Sequence, residues 1–153
     1  MTDTPRLELI FAADVSVGSP LDCGDVGKGR RRIVPITGGE FSGPNIRGKV
    51  LPGGADWQIL RSDGVSELEA HYVLQTEDGA LINVRNLALR HGPPDVMAAL
   101  AAGRPVKPGS YYFRGATFFE TGDARYGWLA SCIVVCTGER EPAGVKLNFY
   151  KVL

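Results

Sequence analysis

Hydrophobic and polar residues fall into short runs that glycine and proline separate at close intervals. β-branched and aromatic residues concentrate in nine of these runs: 6–13, 31–37, 45–51, 56–61, 66–76, 80–90, 110–121, 126–138 and 143–152. Short, evenly spaced strands with turn signals between them are typical of a β-sandwich or a β-barrel. The pattern therefore predicts an all-β protein with little helix.

A single segment has the features of a helix. In "HGPPDVMAALAAGRP" the prolines suit a helix start and Gly103 suits its end, which predicts a helix over 94–102. A helix this short is not stable alone, so we expect it to pack on the sheet, at one end of a barrel. Residues 14–30 are interpreted as a long loop or flap. We predict one domain over residues 1–153, a closed antiparallel barrel of about 8–10 strands with one short helix.

Asp78-Gly79 marks a hairpin turn in "TEDGALI". A two-residue turn at this position pairs Tyr72 with Arg85. A four-residue loop keeps this register, whereas a three-residue loop reverses the faces of one strand. The two-residue turn places Tyr72, Asn83 and Arg85 side by side on the more apolar face, which we take to be the inside of the barrel.

Gly122-Asp123 predicts a second hairpin, within "FFETGDARYGW". Its register directs an aromatic face inward, with Tyr111, Tyr126 and Trp128. A mainly apolar interior with a few converging polar groups is typical of a small-molecule pocket. The alternative is a plain core whose tyrosine and tryptophan polar atoms bond locally. An inward arginine favours the pocket, because it needs either a protein carboxylate or a ligand acid as its partner.

The stretch "VLPGGADWQIL" places an acid beside a tryptophan after a Pro-Gly-Gly turn. A hairpin that pairs 45–51 with 56–61 directs Trp57 inward and Asp56 to solvent. Asp56 is then a rim carboxylate or an acceptor for turn amides. A bulge at the two glycines turns Asp56 inward instead, where it is a candidate base.

The run "WLASCIVVC", 128–136, is apolar on both faces of a predicted strand. A strand that is wet on one side should alternate, so something should cover its outer face. The candidates are the 94–102 helix and a second subunit. From this run we predict a homodimer or a higher homo-oligomer.

Charge and composition narrow the function classes. The chain has 17 basic and 17 acidic residues, which argues against a nucleic-acid or membrane-surface binder. The basic run "KGRRR" at 28–32 is interpreted as a solvated strand edge or loop rather than an anion site. Three cysteines, two histidines and no Cys-x-x-Cys spacing indicate thiols without a metal site. No signal peptide is visible and the cysteines suit a reducing compartment, so we predict a cytoplasmic protein. No phosphate-binding loop is present, and we predict that the protein needs no cofactor.

Five segments resemble the bacterial and fungal family of UPF-type proteins called domain of unknown function three-two-three-seven: "RRIVPITGGEFSGPNIRGKVLPGGADWQI", "EAHYVLQTEDGALINVRN", "RHGPPDVMAALAAG", "YYFRGATFFETGDARYGWL" and "KLNFYKV". The likeness covers nearly the whole chain from about residue 30, and "GGADW" and "TEDGALI" are its most specific parts. The resemblance implies a calycin-like antiparallel barrel, akin to the lipocalin architecture. It implies no reaction.

Two function hypotheses follow. The first is a cofactor-independent enzyme of isomerase, cyclase or dehydratase type, acting on a small apolar compound with a carbonyl or carboxylate group. In it Asp56 is the base, Arg85 holds negative charge, and Tyr72 and Tyr126 donate hydrogen bonds or protons. The second is a carrier that binds a small-molecule ligand without turnover. The ligand-binding residues predicted for both are Trp57, Asn83, Tyr111, Tyr126 and Trp128.

Overall fold

Ten antiparallel strands and two short helices make up the part of the chain that the structure, a computed structural model, describes: residues 2–153. The strands are β1 (Leu7–Val17), β2 (Leu21–Asp25), β3 (Arg30–Ser42), β4 (Arg47–Val50), β5 (Ala55–Leu60), β6 (Ser66–Thr76), β7 (Leu81–His91), β8 (Tyr112–Glu120), β9 (Val134–Glu141) and β10 (Gly144–Val152). Helix α1 is Pro94–Ala101, and a 3-10 helix spans Ala124–Ser131.

The sheet closes on itself because β1 pairs with β10 on one side and with β3 on the other. β1 and β2 lie end to end along β3. β4 and β5 likewise share the position between β3 and β6. The result is a closed eight-stranded antiparallel barrel with two additional strands. The predicted all-β barrel and the predicted helix are both confirmed.

Two predicted segments differ from the structure. The expected loop at 14–30 contains the end of β1 and all of β2. The expected strand at 126–138 begins only at Val134, because the 3-10 helix occupies its first half. The Asp123 carboxylate starts that helix by accepting a hydrogen bond from the backbone N–H of Arg125. The two-sided apolar strand from which we predicted an oligomer therefore does not exist as such.

The turn between β6 and β7 has three residues, not two. Thr76 and Ala80 face each other across it, and Gly79 has a φ of 90°. A three-residue hairpin loop needs its last residue in this left-handed region, which glycine adopts without strain. The extra residue reverses which side chains of β7 face inward, compared with the register of a two-residue turn. This is the outcome expected above for a three-residue loop.

One end of the barrel is filled by aromatic rings. The Phe11 ring centroid lies 5.3, 5.9 and 4.5 Å from those of Phe41, Phe119 and Phe149. Leu129 of the 3-10 helix, 1% exposed, belongs to the same core. This aromatic end is closed, and the open space inside the barrel lies in the other half.

Helix α1 lies at the opposite end. Its Leu100 is buried, and Met97 and Leu100 line a crevice together with Arg90 and Arg140. We call this end, where the barrel interior opens beside α1, the open end. No helix within residues 2–153 has the length and apolar character needed to cross a membrane.

Candidate functional site

A cavity of about 420 Å³ occupies the half of the barrel nearer the open end. Its volume falls in the range of small-molecule pockets, about 300–1,000 Å³. Aliphatic side chains from β1, β3 and β10 form much of its wall. Its charged and amide side chains are Arg32, Asp56, Gln58, Asn86, Arg90 and Arg140, and Tyr72 adds a phenol. Two larger grooves cross the outer surface, where Glu67 and Arg114 are exposed. A third, beside α1, shares Arg32 and Arg140 with the cavity.

Asp56 points into this cavity, which corrects the predicted solvent-facing register. β4 and β5 do not form a hairpin, because they lie end to end between β3 and β6, and the connection at Gly54 passes very close to β6. A β-carbon on Gly54 would lie 2.4 Å from the carbonyl oxygen of His71. The two glycines thus turn Asp56 inward by separating two strands, not by a bulge in one hairpin. Trp57, predicted to face the ligand, is instead on the outside and 45% exposed.

The Asp56 carboxylate has one bonded oxygen and one free oxygen. Gln58 Nε2 donates to Asp56 Oδ2 at 2.8 Å. Asp56 Oδ1 and Gln58 Oε1 are buried and have no hydrogen-bond partner within residues 2–153. Burial raises the pKa of Asp56, against the opposing effects of the Gln58 hydrogen bond and of Arg90. A carboxyl group with these properties is suited to exchange a proton with a ligand.

Asn86 faces Asp56 across one small residue. Ala70 lies opposite Asp56 on β5 and opposite Asn86 on β7, so all three share the inner face. Asn86 Oδ1 accepts a hydrogen bond from Thr117 Oγ1 at 2.7 Å. This bond fixes the amide and leaves its Nδ2 hydrogens available to a ligand.

Tyr72 adds a second donor, as predicted for its position on the inner face. It lies two residues along β6 from Ala70, which makes it a diagonal neighbour of Asp56. Tyr72 is 3% exposed and lines the cavity. Burial raises the pKa of Tyr72, so the hydroxyl stays protonated. Two donors beside a carboxylate can stabilise a carbonyl oxygen that gains negative charge while a proton moves.

Asn83 and Arg85 lie on the outside of the barrel, which corrects their predicted inward positions. The three-residue turn is the reason, since it reverses every side chain of β7. The Arg85 guanidinium is 3.4 Å from the Glu69 carboxylate. Asn83 Nδ2 donates to Glu120 Oε1 at 2.7 Å. Neither residue lines the cavity.

Three arginines, which we call the mouth arginines, line the cavity toward the open end: Arg32, Arg90 and Arg140. None of the three forms an ion pair within the described part of the chain. Arg90 is 6% exposed, and its Nε is buried without a partner, as is Arg32 Nε. Burial, with a contribution from Arg140, lowers the pKa of Arg90 to about 10, which still leaves it charged at neutral pH.

The remaining predicted ligand-binding residues have structural contacts. The Tyr111 hydroxyl accepts a hydrogen bond from the backbone N–H of Arg140 at 2.7 Å. The Tyr126 hydroxyl donates to the Asp78 carboxylate at 2.8 Å. Trp128 packs against the core from the 3-10 helix. None of the three aromatic residues lines the cavity.

Several cavity residues are not among those predicted from the sequence. The correct β7 register brings in Asn86 and Arg90 in place of Asn83 and Arg85. The basic run, interpreted as solvated, contributes Arg32. Successive residues of a strand face opposite sides, so three consecutive arginines on β3 cannot all face solvent. This alternation in the sequence is the feature from which an inward-facing arginine at 31 or 32 could have been predicted. Among residues 2–153, no three His, Cys, Asp or Glu side chains lie close enough together to hold a metal ion.

A family model described as "Protein of unknown function (DUF3237)" matches residues 5–152. The chain belongs to the DUF3237 family. A UPF0311 protein of Rhodopseudomonas palustris is 40% identical to this DUF3237 protein over 153 residues, 100% of both chains. The crystal structure of the conserved R. palustris protein of unknown function superimposes with a TM-score of 0.94. A protein with unknown function from Clostridium acetobutylicum, 41% identical, gives 0.88 and covers 98% of this chain and 100% of its own.

A more distant relative of this DUF3237 protein is described by an activity. "Hydroalkoxylation enzyme phnH" of Penicillium herquei is 27% identical over 125 residues, which are 82% of this chain and 68% of that protein. The crystal structure of an enzyme from P. herquei has a TM-score of 0.75 at 24% identity, over 100% of this chain and 98% of that one. At this identity the likeness between the two structures concerns the fold alone.

Proposed function

We propose that this DUF3237 protein is a cofactor-independent acid–base enzyme that acts on a small carbonyl or carboxylate compound inside the barrel. One observation carries the proposal: Asp56 Oδ1 is buried, belongs to a cavity residue and has no partner among residues 2–153. A buried polar atom without a hydrogen bond costs free energy. A ligand hydrogen at this position removes that cost and is then placed for transfer to the carboxylate.

The chemistry assigned to the site is proton transfer within one ligand. Asp56 takes a proton from an O–H or C–H group, while Tyr72 and Asn86 donate hydrogen bonds to the oxygen on which charge develops. When the same proton returns to another atom of the ligand, atoms and charge balance without a co-reactant. Isomerisation and cyclisation have this form. Arg85, which the sequence suggested for the anion, has no part because it faces away from the cavity.

The P. herquei relative supports an enzyme over a carrier. Hydroalkoxylation adds an alcohol O–H across a carbon–carbon double bond, so it needs a base for the hydroxyl and a proton source for the carbon. Both are proton transfers that a carboxyl group can perform. The relatives near 40% identity are described only as proteins of unknown function, and they leave the substrate open.

Two further properties belong to the proposal. We infer a cytoplasmic location, to which the free thiols of Cys23, Cys132 and Cys136 are suited. We also infer a homodimer, for which apolar side chains on the outer surface of the barrel provide a face.

The test of the reaction is Asp56→Asn, assayed with two probes. One is ortho-hydroxychalcone with the hydroxyl on the acyl ring, which cyclises to flavanone. The other is phenylpyruvate, whose enolisation in D₂O exchanges deuterium. We expect the wild-type protein to accelerate at least one reaction and Asp56→Asn to slow it by about 10²- to 10⁴-fold, the usual contribution of a general base. Binding of the probe should persist, because the amide keeps the size of the carboxylate. Equal rates for the two proteins with both probes would contradict the enzyme and favour the carrier.

A further inference from the structure

The mouth arginines lead to an inference about the substrate class, and it rests on the proposed function. We infer that the substrate is a hydroxy acid. Its carboxylate binds Arg32, Arg90 and Arg140 toward the open end, and a hydroxyl group at its far end donates to Asp56 Oδ1.

The charge of the cavity is the first argument. Three guanidinium groups share it with a single carboxylate, Asp56, and none of the four groups forms an ion pair within the described chain. A guanidinium keeps its proton, so positive charge is in excess whatever the state of Asp56. The contact of Arg90 with the Phe113 ring, 5.5 Å from Cζ to centroid, offsets this only in part. A buried, unpaired cation is strongly destabilising, and an anionic ligand supplies the missing partner.

The type of anion follows from the unpaired atoms. Arg32 Nε and Arg90 Nε are N–H donors that are buried without partners, and they belong to planar guanidinium groups. Such groups bind the two oxygens of a carboxylate side by side. A neutral carbonyl group could accept a hydrogen bond from an arginine N–H, but it would not neutralise the positive charge of the guanidinium.

The positions of the unpaired acceptors relative to the mouth arginines explain why the ligand should also carry a hydroxyl group. Asp56 Oδ1 and Gln58 Oε1 are acceptors without donors, and both lie deeper than Arg90. Arg90 is four residues beyond Asn86 on β7, about 13 Å along the strand at 3.3 Å per residue. Arg32 lies opposite Gln58, one register step from Asp56, so the arginines begin beside the two acceptors and continue toward the open end. A ligand that meets both sets of atoms carries a donor for Asp56 and an anion for the arginines. The apolar wall between them suits a ring or a short hydrocarbon spacer.

Binding of three matched compounds tests the charge and the hydroxyl separately. p-Coumarate has both groups, p-coumaramide replaces the carboxylate with a neutral amide, and cinnamate lacks the hydroxyl. By calorimetry we expect p-coumarate to bind at least tenfold more tightly than p-coumaramide and more tightly than cinnamate. Equal dissociation constants for the acid and the amide would overturn the inference, as would no binding of p-coumarate at millimolar concentration.

Arg90→Met and Arg85→Met form a matched pair on one strand. Arg90→Met removes a buried cation and keeps the length of the stem, so it should weaken p-coumarate binding at least tenfold and raise the melting temperature of the ligand-free protein. Arg85→Met, on the outer face of β7, should leave the affinity unchanged. If Arg90→Met fails to fold, Arg140→Met, which alters a half-buried member of the cluster, provides the same comparison. A lower melting temperature with unaltered p-coumarate affinity would show that Arg90 belongs to the scaffold.

These readouts separate the inference from the proposed function. Charge-dependent binding without turnover by the wild-type protein would keep the anion site and reject the enzyme. Turnover of the neutral ortho-hydroxychalcone, together with equal affinities for the acid and the amide, would keep the enzyme and reject the hydroxy acid.

Discussion

Asp56 is a residue whose environment favours its neutral form. One oxygen of its carboxylate is buried without a partner among residues 2–153, and its pKa is raised above the ordinary value of 3.8. The ligand-free protein therefore gives up stability at this position. Such a cost is common where a carboxyl group is kept for binding or catalysis.

The raised pKa makes stability depend on pH in a definite direction. The folded protein holds the Asp56 proton to a higher pH than the unfolded chain does, so the free energy of unfolding falls as pH rises from about 4 through the folded-state pKa. Asp56→Asn removes this loss. At neutral pH we expect Asp56→Asn to be more stable than the wild type by about 1 kcal/mol, and the difference to shrink toward pH 4.

Urea unfolding of both proteins across this pH range measures the effect. Asp14→Asn, which changes an exposed aspartate on β1, is the control and should alter stability little at any pH. A stability gain in Asp56→Asn that grows as pH falls would contradict the expected environment of the carboxyl group.

At the scale of elements, the turn between β6 and β7 decides which arginine enters the barrel. The periodicity of the sequence predicted both strands, and it placed Tyr72 correctly, because β6 has the same faces in either register. It misplaced Arg85 because Asp-Gly occurs both in two-residue turns and in three-residue loops with glycine last. The position of Asp56 depends on a similar detail, the close passage of Gly54 along β6. The composition of the strands thus predicted the barrel. Which side chains face the cavity depends on single-residue differences in the turns, and these leave little trace in composition.

Gly79→Ala tests the strain that this turn imposes. A residue with a β-carbon at a φ of 90° costs about 1–2 kcal/mol, and we expect that loss in the free energy of unfolding. Gly122→Ala is the matched control. Gly122 also lies in a connection, between β8 and the 3-10 helix, but its φ is not positive and a β-carbon there would meet no other atom within 4 Å. Chemical denaturation of the two variants compares them directly. Equal stabilities would mean that the turn does not need glycine.

At the scale of the whole molecule, the outer surface carries large apolar side chains that do not pack in the core. Trp57, Leu89, Tyr112 and Phe118, on β5, β7 and β8, are 45%, 44%, 47% and 49% exposed. We take these side chains as a candidate contact surface for another molecule. Lys28, Arg31, Arg114, Glu67 and Glu69 border a groove on the same face. Charges of both signs on one face suit contact with a second copy of the chain about a twofold axis.

We therefore expect a homodimer that uses this face, although the strand 128–136 that first suggested one is interrupted. Light scattering of the wild-type protein at micromolar concentration should give the mass of two chains. Leu89→Glu places a charge on the face and should give the mass of one chain. Leu81→Glu, an exposed leucine near the far end of the same strand, should leave the dimer intact. A wild-type protein that is monomeric at this concentration would contradict the expectation.

The aromatic end, closed by Phe11 and its neighbours, has a consequence for the proposed reaction. Because aromatic rings fill that end, the proposed substrate would enter hydroxyl first and its product leave carboxylate first through the open end beside α1. In the proposed reaction the product would keep the carboxylate that binds the mouth arginines, so we expect it to compete with the substrate for the same site and to inhibit competitively.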